Sequence, residues 1–216
     1  MSARGLVRLL PLALALGAAG PGALAQQDAR KPPRKIERKP AVPADQPGAT
    51  PAALPTPAPE LAQLGYFLGT WKCDGRVPAT PMGPAHQSRS TVTIRPDLNG
   101  FWHTGTVREE KSADNAHPIY GMFHETYDSA KKRFLLLWVD NYGGWATETT
   151  RGWDGDKIVW EGEGTLGGQT LLGRDTFVKK GEGQMSHTAE MSMNGQWMTM
   201  SEELCKKAPA AAATRP

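Results

Sequence analysis

Leu64-Gly-Tyr-Phe-Leu-Gly-Thr-Trp-Lys-Cys-Asp-Gly75 is the stretch that decides the fold. It begins as a short apolar helix and continues as a strand. Gly69 is expected to end the helix, because glycine adopts the backbone angles that stop a helix at little cost. Thr70 and Trp71 favour a strand, since β-branched and aromatic side chains suit a pleated surface. A short helix followed at once by such a strand is how many small closed β-barrels begin.

Turn signals recur about every ten residues after this stretch, among them 97–100, 142–144 and 194–195. Asn-Gly and Asp-Gly pairs between alternating segments favour tight hairpin turns. Strands are predicted at 70–77, 90–94, 101–107, 119–127, 133–140, 145–152, 157–164, 170–178, 185–193 and 197–204. Because nearly every connection is short, we predict an all-β fold, a roughly ten-stranded antiparallel meander barrel with a short N-terminal helix.

The first 25 residues have the composition of a secretory signal peptide. Arg4 and Arg8 precede an apolar run at 9–19, and Ala23-Leu24-Ala25 fits the small-x-small pattern of a cleavage site. Residues 26–58 are rich in Pro, Ala and Lys, which predicts a disordered linker, and 208–216 are predicted to form a similar tail. The folded domain is expected at 59–207. We therefore predict a secreted or periplasmic protein that is cleaved near Ala25.

The charge of the chain and the length of its apolar run argue against two classes of partner. The formal net charge is only +3, and eight of the 25 Lys and Arg residues lie in the first 39 residues, before the expected domain. Nucleic acid is therefore not an expected partner. The apolar run at 9–19 is too short to span a bilayer comfortably, so stable membrane insertion is not expected either.

Cys73 and Cys205 are the only two cysteines of the chain. One lies early in the first predicted strand and the other lies late in the last. In an exported protein they are expected to form a disulfide, which would tie the barrel at the point where it closes. Two free thiols are the alternative. A metal site is not expected, because structural zinc usually takes four protein ligands.

The opening stretch and several later motifs resemble known barrel proteins. Residues 67–71, Phe-Leu-Gly-Thr-Trp, are similar to the opening of lipocalin-like (calycin) barrels, which include the nitrobindins. The later motifs resemble the bacterial domain-of-unknown-function family 1579. They are Tyr127-Asp128 before Lys132-Arg133-Phe134, Trp138-Val139-Asp140, Gly152-Trp153-Asp154-Gly155-Asp156 and Trp160-Glu161-Gly162-Glu163-Gly164. The resemblance implies a roughly ten-stranded barrel with a central cavity over 59–207, and no established activity.

The resemblance to nitrobindins also bears on cofactors. Nitrobindins bind haem through a histidine in the final strand, whereas residues 197–207 contain no histidine. We therefore expect no haem bound by this route, and no other cofactor. His187, one strand earlier, is the only nearby substitute.

The distribution of methionine and tryptophan predicts a binding site inside the barrel. One face of the strand at 185–193 carries Met185, His187, Ala189, Met191 and Met193. Methionine adapts to varied apolar ligands, and aromatic groups near strand ends can line the mouth of a cavity, although ordinary core packing is the alternative for both. We predict an exported small-molecule-binding barrel with an apolar or amphipathic ligand, rather than an enzyme. The candidate ligand-binding residues are Trp138, Trp145, His187, Met191 and Arg151.

Two other functions stay open. By strand alternation His103, Glu125 and His187 each share a face with an apolar residue, so all three are candidates for the interior. Such a group in an apolar barrel would have pKa values suited to proton transfer, and Arg151 and Arg174 would bind an acidic substrate. Alternatively, the domain is an envelope interaction module that is tethered through its linker.

Overall fold

A computed structural model describes residues 54–80 and 83–209 of the chain. The predicted signal peptide lies outside the described residues, as do most of the predicted linker and most of the predicted tail. None of the helices in the described part has the length and hydropathy that a bilayer crossing needs.

Ten antiparallel strands form one closed barrel. They are β1 (Gly69–Val77), β2 (His86–Asp97), β3 (Trp102–Glu109), β4 (Tyr120–Asp128), β5 (Arg133–Asp140), β6 (Trp145–Thr150), β7 (Lys157–Leu166), β8 (Gln169–Lys179), β9 (Gln184–Met193) and β10 (Gln196–Lys207). Each strand pairs with its neighbours in the chain, and β10 returns to pair with β1. The predicted all-β meander barrel is therefore confirmed.

Several strands extend beyond the residues that the sequence predicted. β2 begins at His86 rather than at residue 90, and β10 continues to Lys207 rather than to residue 204. Residues 86–89 are polar, yet their backbone pairs with β1, where Val77 lies opposite His86. Hydrogen bonding across the sheet thus extends a strand where the local pattern is weak.

The seam between β1 and β10 carries the disulfide. Cys73 lies directly opposite Cys205 in the pairing register, and the two sulfur atoms are bonded. Both residues are almost completely buried, at 2% exposure each. The predicted disulfide is confirmed, and it indicates an oxidising environment such as the periplasm or the cell exterior.

A short 3-10 helix, Pro59–Phe67, closes one end of the barrel, and we call it the plug helix. It buries Leu61, Leu64 and Phe67 against the ends of the strands. Gly69 joins it to β1 with a φ of 115°, a conformation that favours glycine. Among the described residues no helix covers the opposite end of the barrel, which we call the mouth.

Hydrogen bonds from the barrel fix the plug helix in place. The indole Nε1 of Trp71 donates to the carbonyl oxygen of Phe67 at 2.7 Å, and Nε1 of Trp153 donates to that of Gln63 at 2.9 Å. The hydroxyl group of Tyr66 donates to a backbone carbonyl of β9 at 2.6 Å. These bonds satisfy polar groups that burial would otherwise leave without partners, so the plug is part of the folded barrel.

The plugged end of the interior is filled by large apolar side chains. We call this set the apolar floor: Trp71, Phe134, Ile158, Trp160, Phe177 and Met185. Strand alternation brings them together, because residues two apart on a strand face the same side of the sheet. Each of these residues lies near the plug-side end of its strand. Further side chains line the interior beside this floor and toward the mouth.

We predict that removing the disulfide lowers stability without changing the fold. The bridge links residues 132 positions apart, so it constrains the unfolded chain strongly. A variant with both Cys73→Ala and Cys205→Ala is expected to lose about 2–4 kcal/mol of unfolding free energy. Urea unfolding followed by circular dichroism measures this loss. An unchanged denaturation midpoint would show that the seam is held by strand pairing alone.

Candidate functional site

Polar side chains line the interior beside the apolar floor and toward the mouth. We call this set the polar girdle, and its members are Ser88, Ser90, His103, Glu125, Glu148, Asp175, His187 and Glu203. Each lies on the inward face of its strand, at even spacing from a residue of the floor or core. The girdle receives side chains from β2, β3, β4, β6, β8, β9 and β10. Polar groups thus surround the interior instead of clustering on one wall.

His187 lies between two carboxylates. Its Nε2 is 2.6 Å from Oδ1 of Asp175, and its Nδ1 is 3.2 Å from Oε2 of Glu203. Burial alone would lower the pKa of His187, but the hydrogen bonds to these two carboxylates outweigh it and raise the pKa to about 10. The imidazolium ring also stacks on Phe177, with ring centroids 4.3 Å apart. His187 is therefore a fixed positive charge.

Glu203 continues this network across β1 to β2. Its Oε1 accepts hydrogen bonds from Ser88 and Ser90 at 3.3 and 3.4 Å. Burial would raise the pKa of Glu203, but the bonds from His187 and the two serines bring it below its usual range. Glu203 is therefore ionised at neutral pH and balances the charge of His187.

Glu148 stays protonated at neutral pH. Burial raises its pKa to about 9, and the negative charge of Asp175 contributes in the same direction. Glu148 and Asp175 are on β6 and β8, and the intervening strand presents Gly162 opposite Glu148. A Cβ atom at Gly173 would lie 3.3 Å from Oε1 of Glu148. Two inward glycines thus give the carboxyl group the space to reach across β7.

His103 and Glu125 form a separate pair on β3 and β4. Nδ1 of His103 is 2.9 Å from Oε1 of Glu125, and the two side chains are only 7% and 3% exposed. Burial raises the pKa of Glu125, and the hydrogen bond with His103 only partly offsets this. In the described part of the chain, every fully buried side-chain nitrogen and oxygen has a hydrogen-bond partner. Nε2 of His103 has no such partner among those residues, so this atom keeps some accessible surface.

Three of the five predicted ligand-binding residues point into the barrel. Trp138, His187 and Met191 are on inward faces, and the ring of Trp138 covers Gly121, where no side chain stands in its way. Trp145 and Arg151 lie on the outside of the barrel and are exposed.

The residues on the outer face contact other groups of the barrel surface. Trp145 lies opposite Val139, which is also exposed, on the outer face of β5 and β6. Arg151 lines a surface groove of about 510 Å³ together with Arg133 and Lys157. Arg174 is also on the outer face, where it bonds to Glu190. Neither arginine therefore faces the girdle.

The predicted group of His103, Glu125 and His187 divides into two parts. All three side chains point inward, and His103 binds Glu125. His187 has both ring nitrogens occupied by other partners, and in the described part of the chain no hydrogen bond joins it to that pair.

The inward positions of Glu148, Asp175 and Glu203 were not predicted from the sequence. Their strands offered a signal, because each shares its alternation with a buried residue: Glu148 with Thr150, Asp175 with Phe177, and Glu203 with Cys205. A carboxylate in phase with core residues points inward.

The arrangement of candidate ligand atoms in the described residues does not favour a metal centre. Among the described residues one set of candidate ligand atoms lies within 4.8 Å of one another, on Cys73, Glu203 and Cys205. The two sulfur atoms are bonded to each other, and metal binding by cysteine requires thiolates. His187 offers no free ring nitrogen to an iron atom, since both are engaged.

We predict that the unfolding free energy falls as the pH rises from about 6.5 to 9. In this window the folded protein keeps protons on His187 and Glu148 that the unfolded chain has released, because the ordinary pKa values are 6.5 and 4.5. A folded state that binds more protons loses stability as the pH rises, by at most about 1.4 kcal/mol per pH unit for each proton. Glu148→Gln removes one of these protons, so its urea-unfolding free energy should fall less steeply. The exposed Glu161→Gln variant is the control, and equal slopes in all three proteins would contradict the assignment.

The comparisons with known proteins agree with this architecture. The chain is similar in structure to Rv2717c from M. tuberculosis, with a TM-score of 0.56 and 17% identity over 71% of this chain and 100% of that chain. At this identity the likeness concerns the fold alone. No curated protein matches the chain. The model of a family described as "Protein of unknown function (DUF1579)" matches residues 56–207, which is most of the chain, and the protein therefore belongs to that family.

Proposed function

We propose that this protein is exported and binds a small apolar or amphipathic molecule inside its barrel. One observation carries the proposal: the interior retains contact with solvent. The side chains of Asp175, His187 and Glu203 keep 29%, 17% and 12% exposure although the closed sheet surrounds them. A barrel filled by side chains would leave these groups without accessible surface.

The interior offers two kinds of contact to a ligand. The apolar floor and the inward Trp138 and Met191 provide apolar surface, and the girdle provides hydrogen-bond donors and acceptors. Lys179 and Lys207 share the inward alternation, but their Nζ atoms lie over Trp153 and Trp71 beside the plug helix. The girdle itself therefore holds more carboxyl than basic groups. This balance favours a neutral or cationic amphipathic molecule over a fatty acid.

If the ligand binds inside the barrel, large side chains that are added to the interior should block binding. Ala189 and Met191 are on the inward face of β9, so Ala189→Trp and Met191→Trp place an indole ring in the interior. Titration with the neutral fluorescent probe N-phenyl-1-naphthylamine is expected to show binding to the wild type and at least tenfold weaker binding to both variants. Thr147→Trp adds the same ring on the outer face and should leave the affinity unchanged.

Two results would contradict the binding proposal. Equal probe affinity in all four proteins would place the probe outside the barrel. Absence of probe binding, together with absence of a co-purifying small molecule in native mass spectrometry, would indicate a filled interior. Circular dichroism of each variant confirms that the barrel is intact.

Export is the second part of the proposal. It rests on the composition of residues 1–25 and is supported by the disulfide, since such bonds persist in oxidising compartments. Intact-mass measurement of the protein recovered from the cell envelope is expected to give a chain that begins near Gln26. A full-length chain recovered from the cytoplasm, with both cysteines reduced, would contradict export.

An interaction module is a second candidate function, and one observation favours it. Leu137, Val139 and Trp145 are large apolar residues that lie on the outer face of β5 and β6, and each is more than one-third exposed. Contiguous exposed apolar residues are a common feature of protein interaction sites.

A further inference from the structure

We propose that the polar girdle is an acid–base site, in which His103 removes a proton from a bound molecule and Glu148 donates a hydrogen bond to the oxygen atom that gains negative charge. Glu125 positions His103. This inference rests on the proposed function, because a molecule must enter the interior. It goes further by assigning a reaction class, proton abstraction from carbon, to named groups.

The base has one bonded and one accessible ring nitrogen. Burial raises the pKa of Glu125, so the carboxylate forms at a higher pH than for an exposed glutamate. Above that pKa, Glu125 accepts the Nδ1 proton of His103 at 2.9 Å, which leaves the lone pair on Nε2. Nε2 has no hydrogen-bond partner among the described residues and keeps some accessible surface. A buried carboxylate on Nδ1 also stabilises the imidazolium ion that proton abstraction forms. His187 cannot serve in this way, since both of its nitrogens are bonded.

The acid is a neutral carboxyl group in a position that sequence analysis did not reveal. Glu148 is 5% exposed and lies beside Asp175, and an ionised pair would place two negative charges together in a buried site. Glu148 therefore keeps its proton and shares it with Asp175, and an oxygen atom that gains negative charge beside it competes with Asp175 for this hydrogen bond. Donors that are preorganised toward developing negative charge are among the largest contributions to catalysis.

The register of the sheet places the base and the acid on the same wall. Along neighbouring strands His103 lies opposite Glu125, Glu125 opposite Leu136, and Leu136 opposite Glu148. Three strand spacings separate the backbones of His103 and Glu148, or about 14 Å along the wall. Both side chains point toward the barrel axis, which shortens the gap between their functional groups. Leu136 lies between them and provides apolar surface for a small flat molecule.

The reaction balances without an oxidant or a further reactant. On a molecule with an acidic C–H bond beside a carbonyl group, the proton moves to Nε2 of His103 and the C–H electron pair forms a C=C bond. The carbonyl π electrons move to the oxygen, which the Glu148 carboxyl stabilises. Return of the proton to the same or a conjugated carbon completes an exchange or an isomerisation.

The test uses 5-nitrobenzisoxazole, whose opening needs a base and an acid. Nε2 takes the proton from C3, the C–H electron pair completes the nitrile, the N–O bond breaks, and the oxygen leaves as a phenolate beside Glu148. The mature chain is expected to catalyse this opening faster than free imidazole at equal concentration. His103→Gln and Glu148→Leu are each expected to lower kcat about 100-fold.

Further variants separate catalysis from structure. Glu148→Gln keeps a hydrogen-bond donor and should retain kcat within about tenfold of the wild type. Glu125→Gln should lower kcat while leaving KM unchanged, because Glu125 acts through His103. The controls are His124→Gln and Glu161→Gln on the outer face, and they should retain the wild-type rate.

Each remaining outcome decides against the inference. If the unreactive isostere 6-nitrobenzotriazole binds but the opening is no faster than with imidazole, the acid–base role is wrong and the binding function stands. If the wild type is active and both His103→Gln and Glu148→Leu keep its rate, the reaction occurs elsewhere. If the isostere does not bind to protein that binds N-phenyl-1-naphthylamine, the molecule has no access to the girdle. If neither probe binds, both proposals fail.

Discussion

The antiparallel pairing of β1 with β10 is the constraint on which the rest of the structure depends. Once the first and last strands pair, every strand has two neighbours, and alternate residues of all ten must share one interior. Cys73 and Cys205 fix the register of this seam. A shift by one residue would exchange the inward and outward faces of β10, and Glu203 would leave the girdle. The disulfide thus reinforces the pairing register that places Glu203 in the interior.

Enclosure also explains the electrostatics of the girdle. Carboxyl and imidazole groups that are removed from water but placed side by side can exist only as a compensated set. His187 is positive because Asp175 and Glu203 are both within hydrogen-bond distance, and Glu148 is neutral because burial and the charge of Asp175 both disfavour its ionised form. Such sets usually serve recognition or proton transfer, since an apolar core of equal volume is commonly as stable.

Much of the fold could be predicted from the sequence, because turns and alternation are local properties. Glycine pairs mark the hairpins, and the positions of Cys73 and Cys205 at the outer strands anticipate the seam. Strand ends such as His86 could not be predicted, since backbone pairing with a neighbour extends them.

The candidate site could be predicted less well than the fold. Glu148 reaches Asp175 only because β7 presents Gly162 between them, and this relation between three strands cannot be read from any single segment. Trp145 was predicted from its position beside a turn and Arg151 from its ability to bind an acidic group, and neither property determines the face that a residue occupies.

The plug helix determines where the two chain ends leave the barrel. Residues 54–58 lead directly into this helix, and the backbone nitrogen of Ala208 bonds to the carbonyl oxygen of Thr70 at the start of β1. Both ends of the described domain, at residue 54 and residue 209, therefore lie on the closed side. In a variant shortened to residues 54–209, a surface, an affinity tag or a fused protein attached at either end leaves the mouth facing the surrounding solution.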